Sequence, residues 1–351
     1  MPGTEQIVDA DFEEVHFFRD QPTGLRSIIA VHSTQLGPAL GGTRFFPYDS
    51  EGAALRDVLR LARGMTYKAA VAGLDLGGGK AVIIGDPCTA KSERLLAAYG
   101  RCVESLSGRY ITASDIGTSE ADLDIVGQHT RFVVGRSTSH GGSGDSATAT
   151  ALGVVAALHA TMEHTLGDAQ LSGRHVSIQG VGQVGARLAG LLTTAGCVVT
   201  VADVNSAAVD RLVAASGVRV VDVADVSSVG CDVFAPCAMG GILNPEVIAG
   251  LRCRAVVGSA NNQLATLDCA RLMQDRGILW APDYVVSAGG LINVADELAG
   301  YDRERALRRV SGIYETTLDL LRLADQLGVS PAEAAERRAE ERLGLGTARS
   351  R

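Results

Sequence analysis

Residues 175–192 read as a strand, a glycine turn and a helix: His175-Val-Ser-Ile-Gln-Gly180-Val-Gly182-Gln-Val-Gly185-Ala-Arg-Leu-Ala-Gly-Leu-Leu. Each glycine in such a turn has its own duty. Gly180 allows the tight bend, Gly182 lets a pyrophosphate approach the backbone, and Gly185 lets helix and strand pack closely. The helix N-terminus then offers unpaired N–H groups and partial positive charge to the phosphates. The next strand, Val198-Val-Thr-Val-Ala-Asp203, ends about 20 residues on in an acid that can accept hydrogen bonds from both adenosine ribose hydroxyls. Val204 and Asn205 follow, with no adjacent Arg or Lys to meet a 2′-phosphate, so the pattern points to NAD rather than NADP. A glycine turn that merely packs is the plainer alternative, and the surrounding strand, helix and acid weigh against it.

Around this motif the chain alternates between strand and helix, with strands expected at 175–180, 197–203, 218–221, 231–235, 254–258 and 278–282. That alternation implies an α/β fold with a parallel, doubly wound sheet covered on both faces. A chain of 351 residues suggests two domains. The Gly/Ser-rich stretch Ser137-Thr-Ser-His-Gly-Gly-Ser-Gly-Asp-Ser146 reads as the hinge between them. Residues 1–145 then form an N-terminal α/β domain, and 146–299 a Rossmann domain. A helix near 148–165 bridges the two, and a C-terminal helical segment, 300–340, packs back onto the first domain, with 302–325 carrying its apolar stripe. In the first domain, Glu14–Arg19 and Leu25–Val31 flank a turn as a hairpin, and Glu51–Tyr67 shows helical spacing behind a cap at Ser50. Ser92–Leu106 reads as helix, Ala81–Ile84 as a strand opened by Lys80, and Tyr110–Ala113 as a strand ending at Asp115. The tail from Arg342 carries little pattern and is expected to fray.

Composition narrows the class of protein. Apolar residues make up 46% and charged residues 21%, the balance of a soluble globular chain. A net charge of −8 gives no electrostatic case for nucleic acid or anionic membrane. The acid-bearing stretch Met1 to Glu14 argues against a secretory signal, and no apolar run approaches the ~20 residues of a membrane span. Seven cysteines without a Cys-x-x-Cys or a Cys/His cluster read as reduced packing residues, giving the expectation of a cytoplasmic, metal-free protein.

Lys68 and Lys80 lie in a stretch almost free of other charge, among Ala, Val, Leu and Gly. A lysine in such surroundings must lose its charge or find an anion. Of two neighbouring ammonium groups, one can stay charged and hold a carboxylate while the other becomes neutral and acts as a base. Asp115 could pass protons beside them. Ordinary salt bridging at a domain edge is the plainer alternative. Val256-Val-Gly-Ser-Ala-Asn261-Asn262-Gln263 places amides beyond a strand, where a nicotinamide ribose or carboxamide would lie; an Asn-rich helix cap would explain them equally. Tyr48, Tyr67 and the histidines read as structural, with His140 beside the hinge the one candidate for a role.

Several of these stretches, taken in order, resemble one family. Gly37-Pro-Ala-Leu-Gly-Gly-Thr-Arg44, Met65-Thr-Tyr-Lys68, Gly73-Leu-Asp-Leu-Gly-Gly-Gly-Lys80, Asp115-Ile-Gly-Thr, Ala235-Pro-Cys-Ala-Met-Gly-Gly241, Ala260-Asn-Asn-Gln-Leu264 and Ala288-Gly-Gly-Leu-Ile-Asn-Val-Ala-Asp-Glu-Leu298 are similar to the Glu/Leu/Phe/Val amino-acid dehydrogenases, and within them to the leucine and valine branch. The resemblance runs from about residue 14 to 340. It implies reversible oxidative deamination of an L-amino acid to a 2-oxo acid and ammonium with NAD, two domains closing over a cleft, and a homo-oligomer with the N-terminal hairpin as a contact edge. It also implies roles. Lys68 pairs with the substrate carboxylate, with Met65 beside it. Lys80 polarises the carbonyl and activates water, and Asp115 exchanges protons with the substrate nitrogen. Gly41 and Gly42 form a backbone wall, three glycines ahead of Lys80 let substrate approach, and Asn262 faces substrate or nicotinamide. Gln183, Val184, Thr150, Ala260, Asn261 and Ser287 join Gly180, Gly182, Gly185 and Asp203 around the cofactor. At Ser287 the family usually has Asn, so a contact there is weaker or reached through water.

By the same resemblance, Leu40, Ala113, Leu291 and Val294 line the side-chain pocket. None is charged, so a second carboxylate would be buried unpaired and glutamate is disfavoured. The small apolar lining favours Val, Leu or Ile. Phenylalanine stays open, because one methylene changes discrimination by only ~1–3 kcal/mol. A non-catalytic NAD-binding regulator on the same scaffold is the third reading, opposed by the presence of Lys68, Lys80 and Asp115 together.

Overall fold

The computed structural model describes residues 12–345. The first eleven residues of the stretch read against a secretory signal, and the tail beyond Leu345, lie outside them. The chain divides into two units. One takes in the residues up to Asp145 with Val294–Arg303 and the segment from Ala339; the other is Ser146–Asn293 with Glu304–Arg338.

In the first unit, β1 (Glu14–Asp20) and β2 (Leu25–Ser33) form the hairpin, turned at Gly24 with φ +74°. Then come β3 (Ala39–Phe46), α1 (Glu51–Val71), β4 (Gly77–Ile84), α2 (Pro87–Ala90), α3 (Glu93–Ser105), β5 (Tyr110–Ser114) and α4 (Glu120–Val126). The sheet order is β1-β2-β4-β3-β5, with β3 parallel to both β4 and β5. Strand alternation sorts the core into two layers. Ile28, Ala30 and Val82 pack against Ala54, Val58 and Ala62 of α1. Ile29, Ala81 and Ile83 pack with Leu96 and Tyr99 of α3. Helix α1 starts where Ser50 accepts the Ala53 N–H at 3.1 Å.

Lys80 does not open its strand; β4 already begins at Gly77 and Lys80 sits in its middle. The glycines before it serve packing rather than substrate access. A Cβ on Gly78 would lie 2.1 Å from Thr66 N of α1, and one on Gly79 would lie 2.8 Å from the Tyr110 ring. The bare backbone lets α1 lie directly on the sheet.

The second unit contains α5 (Ala147–Leu166), β6 (His175–Gln179), α6 (Gln183–Thr194), β7 (Val198–Ala202), α7 (Ser206–Ser216), β8 (Arg219–Val220), β9 (Val233–Pro236), α8 (Pro245–Gly250), β10 (Ala255–Val256), α9 (Asp268–Asp275), β11 (Leu279–Trp280), α10 (Asp283–Val286) and most of α11 (Gly289–Ala295). Its sheet, β8-β7-β6-β9-β10-β11, is parallel throughout, and the order in which strands are added reverses between β6 and β9. In such sheets ligands bind beyond the carboxyl ends of the strands at that switch.

Helix α5, expected as a bridge, belongs wholly to the second unit. The C-terminal segment also departs from expectation. It is interrupted at Gly312 and again at Gly328–Ser330, giving α12 (Arg303–Ser311), α13 (Ile313–Leu327) and α14 (Pro331–Arg342). Residues 304–338 group with the second unit rather than the first. The apolar stripe decides this: α13 packs on α5, where a Cβ on Gly153 would come 2.7 Å from Ile313 Cδ1. A glycine there lets the two helices approach closely.

Candidate active site

In the first unit the parallel trio β4-β3-β5 presents one face toward α1. The alternation that seats Gly78 against Thr66 and Val82 among the α1 contacts puts Lys80 on that face too. Register places Leu40 beside Gly78, and Gly42 beside Ala113. Leu40, Ala113 and Lys80 are buried, the lysine only 7% exposed. Its Nζ lies 2.5 Å from Asp115 Oδ2, just past the end of β5. Helix α1, which covers this face, carries half-buried Met65 and Lys68 in its last two turns. The wall at Gly41 and Gly42 is tight. A Cβ on Gly41 would lie 1.8 Å from Gly79 O, and one on Gly42 would lie 2.4 Å from Ser114 O.

Arg44, two residues beyond Gly42 on the same strand face, was quoted in the motifs but given no role. Its Nε approaches Asp115 Oδ2 at 3.4 Å while Nη1 holds Asp57 Oδ2 of α1 at 2.7 Å. Tyr48 donates to the same Asp57 oxygen at 2.6 Å. The result is a row of alternating charges, Asp57, Arg44, Asp115 and Lys80, all largely withdrawn from solvent. Burial alone would push Asp115 upward, but the Lys80 and Arg44 charges outweigh it and hold the carboxyl down at about 2. Burial likewise opposes the Arg44 charge, and Asp115 with Asp57 more than offsets it, raising its pKa. Thr118 fixes the backbone of this acid: its Oγ1 accepts the Asp115 N–H at 2.9 Å and donates to Thr43 O at 2.8 Å. Asp57 carried no signal in the sequence, because its partners Arg44 and Tyr48 lie outside its helix, and Thr118 closes the Asp115-Ile-Gly-Thr motif without a role of its own there. The strand alternation of Leu40, Gly42 and Arg44 could have exposed the arginine.

The second unit builds its site from backbone. Gly180 has φ +96°, a left-handed conformation suited to glycine, and a Cβ there would strike Ala238 at 2.7 Å. A Cβ on Gly185 would lie 1.9 Å from Gly180 O, whereas one on Gly182 would meet no protein atom within 4 Å. Helix α6 starts at Gly182 with no side-chain cap, so its first N–H groups, those of Gln183 and Val184 among them, face outward. Asp203 binds the turn directly, accepting the Val181 N–H at 2.7 Å and the Asn205 N–H at 2.8 Å.

Neighbouring loops complete this end of the sheet. Ala260 N–H donates to Pro236 O at 2.9 Å, and Gly241 N–H to Asn262 O at 2.7 Å. Asn262 takes φ +53°, while Asn261 is exposed and Gln263 is locked by Trp280 and Gly258. Thr150 meets the later glycine pair, since a Cβ on Gly290 would lie 2.7 Å from its Oγ1; Ser287, just before that pair, is buried. Leu291 and Val294 are one turn apart on α11 and both buried. The glycine turn, the open helix end and Asp203 fit a dinucleotide. His140 pairs with Asp124 at 3.2 Å on the surface of the first unit, apart from these contacts. Among the described residues no cluster of three His, Cys, Asp or Glu could hold a metal ion, and no helix is long and apolar enough to cross a membrane.

Residues 12–132 match the family described as Glu/Leu/Phe/Val dehydrogenase, dimerisation domain, and residues 141–220 and 207–305 match Glutamate/Leucine/Phenylalanine/Valine dehydrogenase. Valine dehydrogenase of Streptomyces coelicolor is 51% identical over 335 residues, 94% of this chain and 92% of its own. Leucine dehydrogenase of Bacillus cereus is 48% identical over 339 residues, 97% and 93% of the two chains. Among solved structures, L-tryptophan dehydrogenase from Nostoc punctiforme superposes with a TM-score of 0.82 at 40% identity, covering 98% of this chain and 99% of the other.

Proposed function

The chain belongs to the Glu/Leu/Phe/Val dehydrogenase family, and from that membership we propose that it is an NAD-dependent oxidoreductase. Its substrate is a branched-chain or other aliphatic L-amino acid, which it deaminates reversibly. Amino acid, water and NAD⁺ become 2-oxo acid, ammonium, NADH and a proton. The observation that carries this reading is the buried Lys80–Asp115 pair, 2.5 Å apart, on a sheet face it shares with apolar Leu40 and Ala113. Bound NAD supplies the hydride acceptor.

The protein's own groups do the rest. Lys68 holds the substrate carboxylate. Lys80 polarises the carbonyl and activates the water that adds to the imine, and Asp115, kept ionised by its two cationic neighbours, exchanges protons with the substrate nitrogen. In the second unit, the N–H groups at the start of α6 bind the pyrophosphate and Asp203 the adenosine ribose. NAD is favoured over NADP because a 2′-phosphate would meet the Asp203 carboxylate, with exposed Val204 and uncharged Asn205 beside it. The protein works as a cytoplasmic homo-oligomer. Two observations support the assembly: the dimerisation match over 12–132, and β1 at the sheet edge with Phe17 53% exposed.

An aromatic substrate is the second reading, favoured by the likeness to a tryptophan dehydrogenase. NADH formation at alkaline pH with Val, Leu, Ile, Phe, Trp, Glu and Ala, repeated with NADP, separates the two. Fastest turnover of Val, Leu or Ile with NAD is expected. Silence on every amino acid would make the protein a non-catalytic NAD binder.

A further inference from the structure

Helix α1 ends in a left-handed glycine, Gly73 at φ +70°, and the Leu74 N–H folds back onto Ala69 O at 3.0 Å. Such an ending leaves carbonyl lone pairs at the negative pole of the helix. A guanidinium from the far end of the chain takes them up. Arg342, the last residue of α14, donates through Nη1 to Leu74 O at 2.7 Å, Ala70 O at 3.1 Å and Ala69 O at 3.4 Å. Its Nη2 pairs with Asp75 Oδ1 at 2.7 Å. The next residue is seated as well: Leu343 is buried and its carbonyl accepts from the Gln35 amide. The tail from Arg342 to Arg351 was expected to fray; its first two residues, Arg342 and Leu343, are anchored instead.

All the Arg342 bonds fall between the two lysines. Ala69 follows Lys68 directly, and Leu74 and Asp75 lead into β4 and Lys80. Gly37 packs on the same connection, where a Cβ would come 2.3 Å from Asp75 O. We propose that Arg342 is a positioning residue for Lys68, clamping the last turn of α1 and so fixing the backbone from which the carboxylate-binding ammonium projects. The inference rests on the reading of Lys68 given above. A planar fork of five donors suits several carbonyls at once, and a lysine point charge does not. Releasing the clamp frays the turn and spreads Lys68 over more positions. Because the carboxylate contact is made in ground and transition states alike, the loss falls on KM more than on kcat.

The test is steady-state kinetics of full-length Arg342→Met and Arg342→Lys on the best amino acid of the wild-type panel. Arg342→Met should raise KM for the amino acid about tenfold, with kcat within about threefold and KM for NAD within about twofold. Arg342→Lys should fall between. An unchanged amino-acid KM, or equal rises for amino acid and NAD, overturns the proposal. Should Arg342→Met not be recovered folded, Arg342→Lys decides: a several-fold rise in amino-acid KM alone supports the clamp, and wild-type values overturn it. If the wild type oxidises no amino acid, the functional reading fails instead. Amide hydrogen exchange over residues 69–77 then tests the clamp separately: faster exchange in Arg342→Met supports it and wild-type rates overturn it.

Discussion

Lys80 and Gly182 stand at comparable places, each in or just beyond a strand of a parallel array, yet their surroundings are made of opposite materials. Lys80 is one member of a row of buried charges in which Asp57, Arg44 and Asp115 alternate in sign, so every charge is matched by a side chain from another element. Gly182 has no side chain and meets none. The turn around it is shaped by backbone close approach, with the Asp203 carboxylate bound to the Val181 N–H. The first region depends on functional groups that single substitutions can delete. The second depends on the absence of atoms, and is damaged by adding them.

Substitutions test that contrast most sharply at the lysine. Lys80→Ala should lower the kcat of deamination by about 10³-fold, while the fold by circular dichroism and the affinity for NADH stay near wild type. Survival of near wild-type deamination would remove Lys80 from the mechanism. Next come two single-atom additions to the glycine turn. Gly185→Ala puts a Cβ against Gly180 O and should weaken NAD binding about 100-fold and lower the unfolding midpoint, since overpacking costs ~1–3 kcal/mol. Gly182→Ala meets no protein atom, so its midpoint should match wild type while KM for NAD rises about tenfold. Equal loss of stability in both variants would break the distinction between packing and ligand-approach glycines.

The charge row makes a prediction about acid. Asp115 titrates at about 2, below the ordinary 3.8, because Lys80 and Arg44 outweigh its burial. A depressed folded pKa means that the unfolded chain binds the proton first. The stabilisation is therefore complete above about pH 4–5 and is lost as pH falls through about 2; it is on the order of 2 kcal/mol. Urea midpoints measured from pH 6 down to pH 3 should fall more steeply for wild type than for Asp115→Asn, and parallel curves would show that the pair contributes no such linkage. A smaller effect is expected at Asp203. Asp203→Asn keeps an acceptor for the turn but removes the charge, so the preference for NAD over NADP should shrink about tenfold. Smallest is Ser287→Asn, expected to lower KM for cofactor or substrate about two- to threefold through one added hydrogen bond.

Local patterns were legible where physics acts over a few residues. The Ser50 cap, the left-handed turn at Gly24 and the strand-turn-helix at 175–192 needed only neighbours in sequence. The glycine run before Lys80 was readable as unusual but not in its purpose. Whether a missing Cβ makes room for a ligand or for a helix depends on what lies opposite, and Thr66 lies opposite Gly78. The apolar stripe of α13 was visible, but its partner was not, because an amphipathic face specifies burial without naming the surface that buries it. Arg342 carried no sign at all, since its carbonyl partners lie some 270 residues away in sequence.

By itself the sequence determined the alternation of strands and helices, the glycine turn with its acid, and which residue types had to be withdrawn from solvent. Periodicity, turn chemistry and the cost of burying charge are local properties of a chain. Only the tertiary structure decided that Lys80 and Asp115 close to 2.5 Å, that Arg44 and Asp57 continue the row, and that Arg342 caps the helix bearing Lys68. Those pairings follow from strand register and long-range docking, which bring together groups whose separation along the chain carries no information about their distance in space.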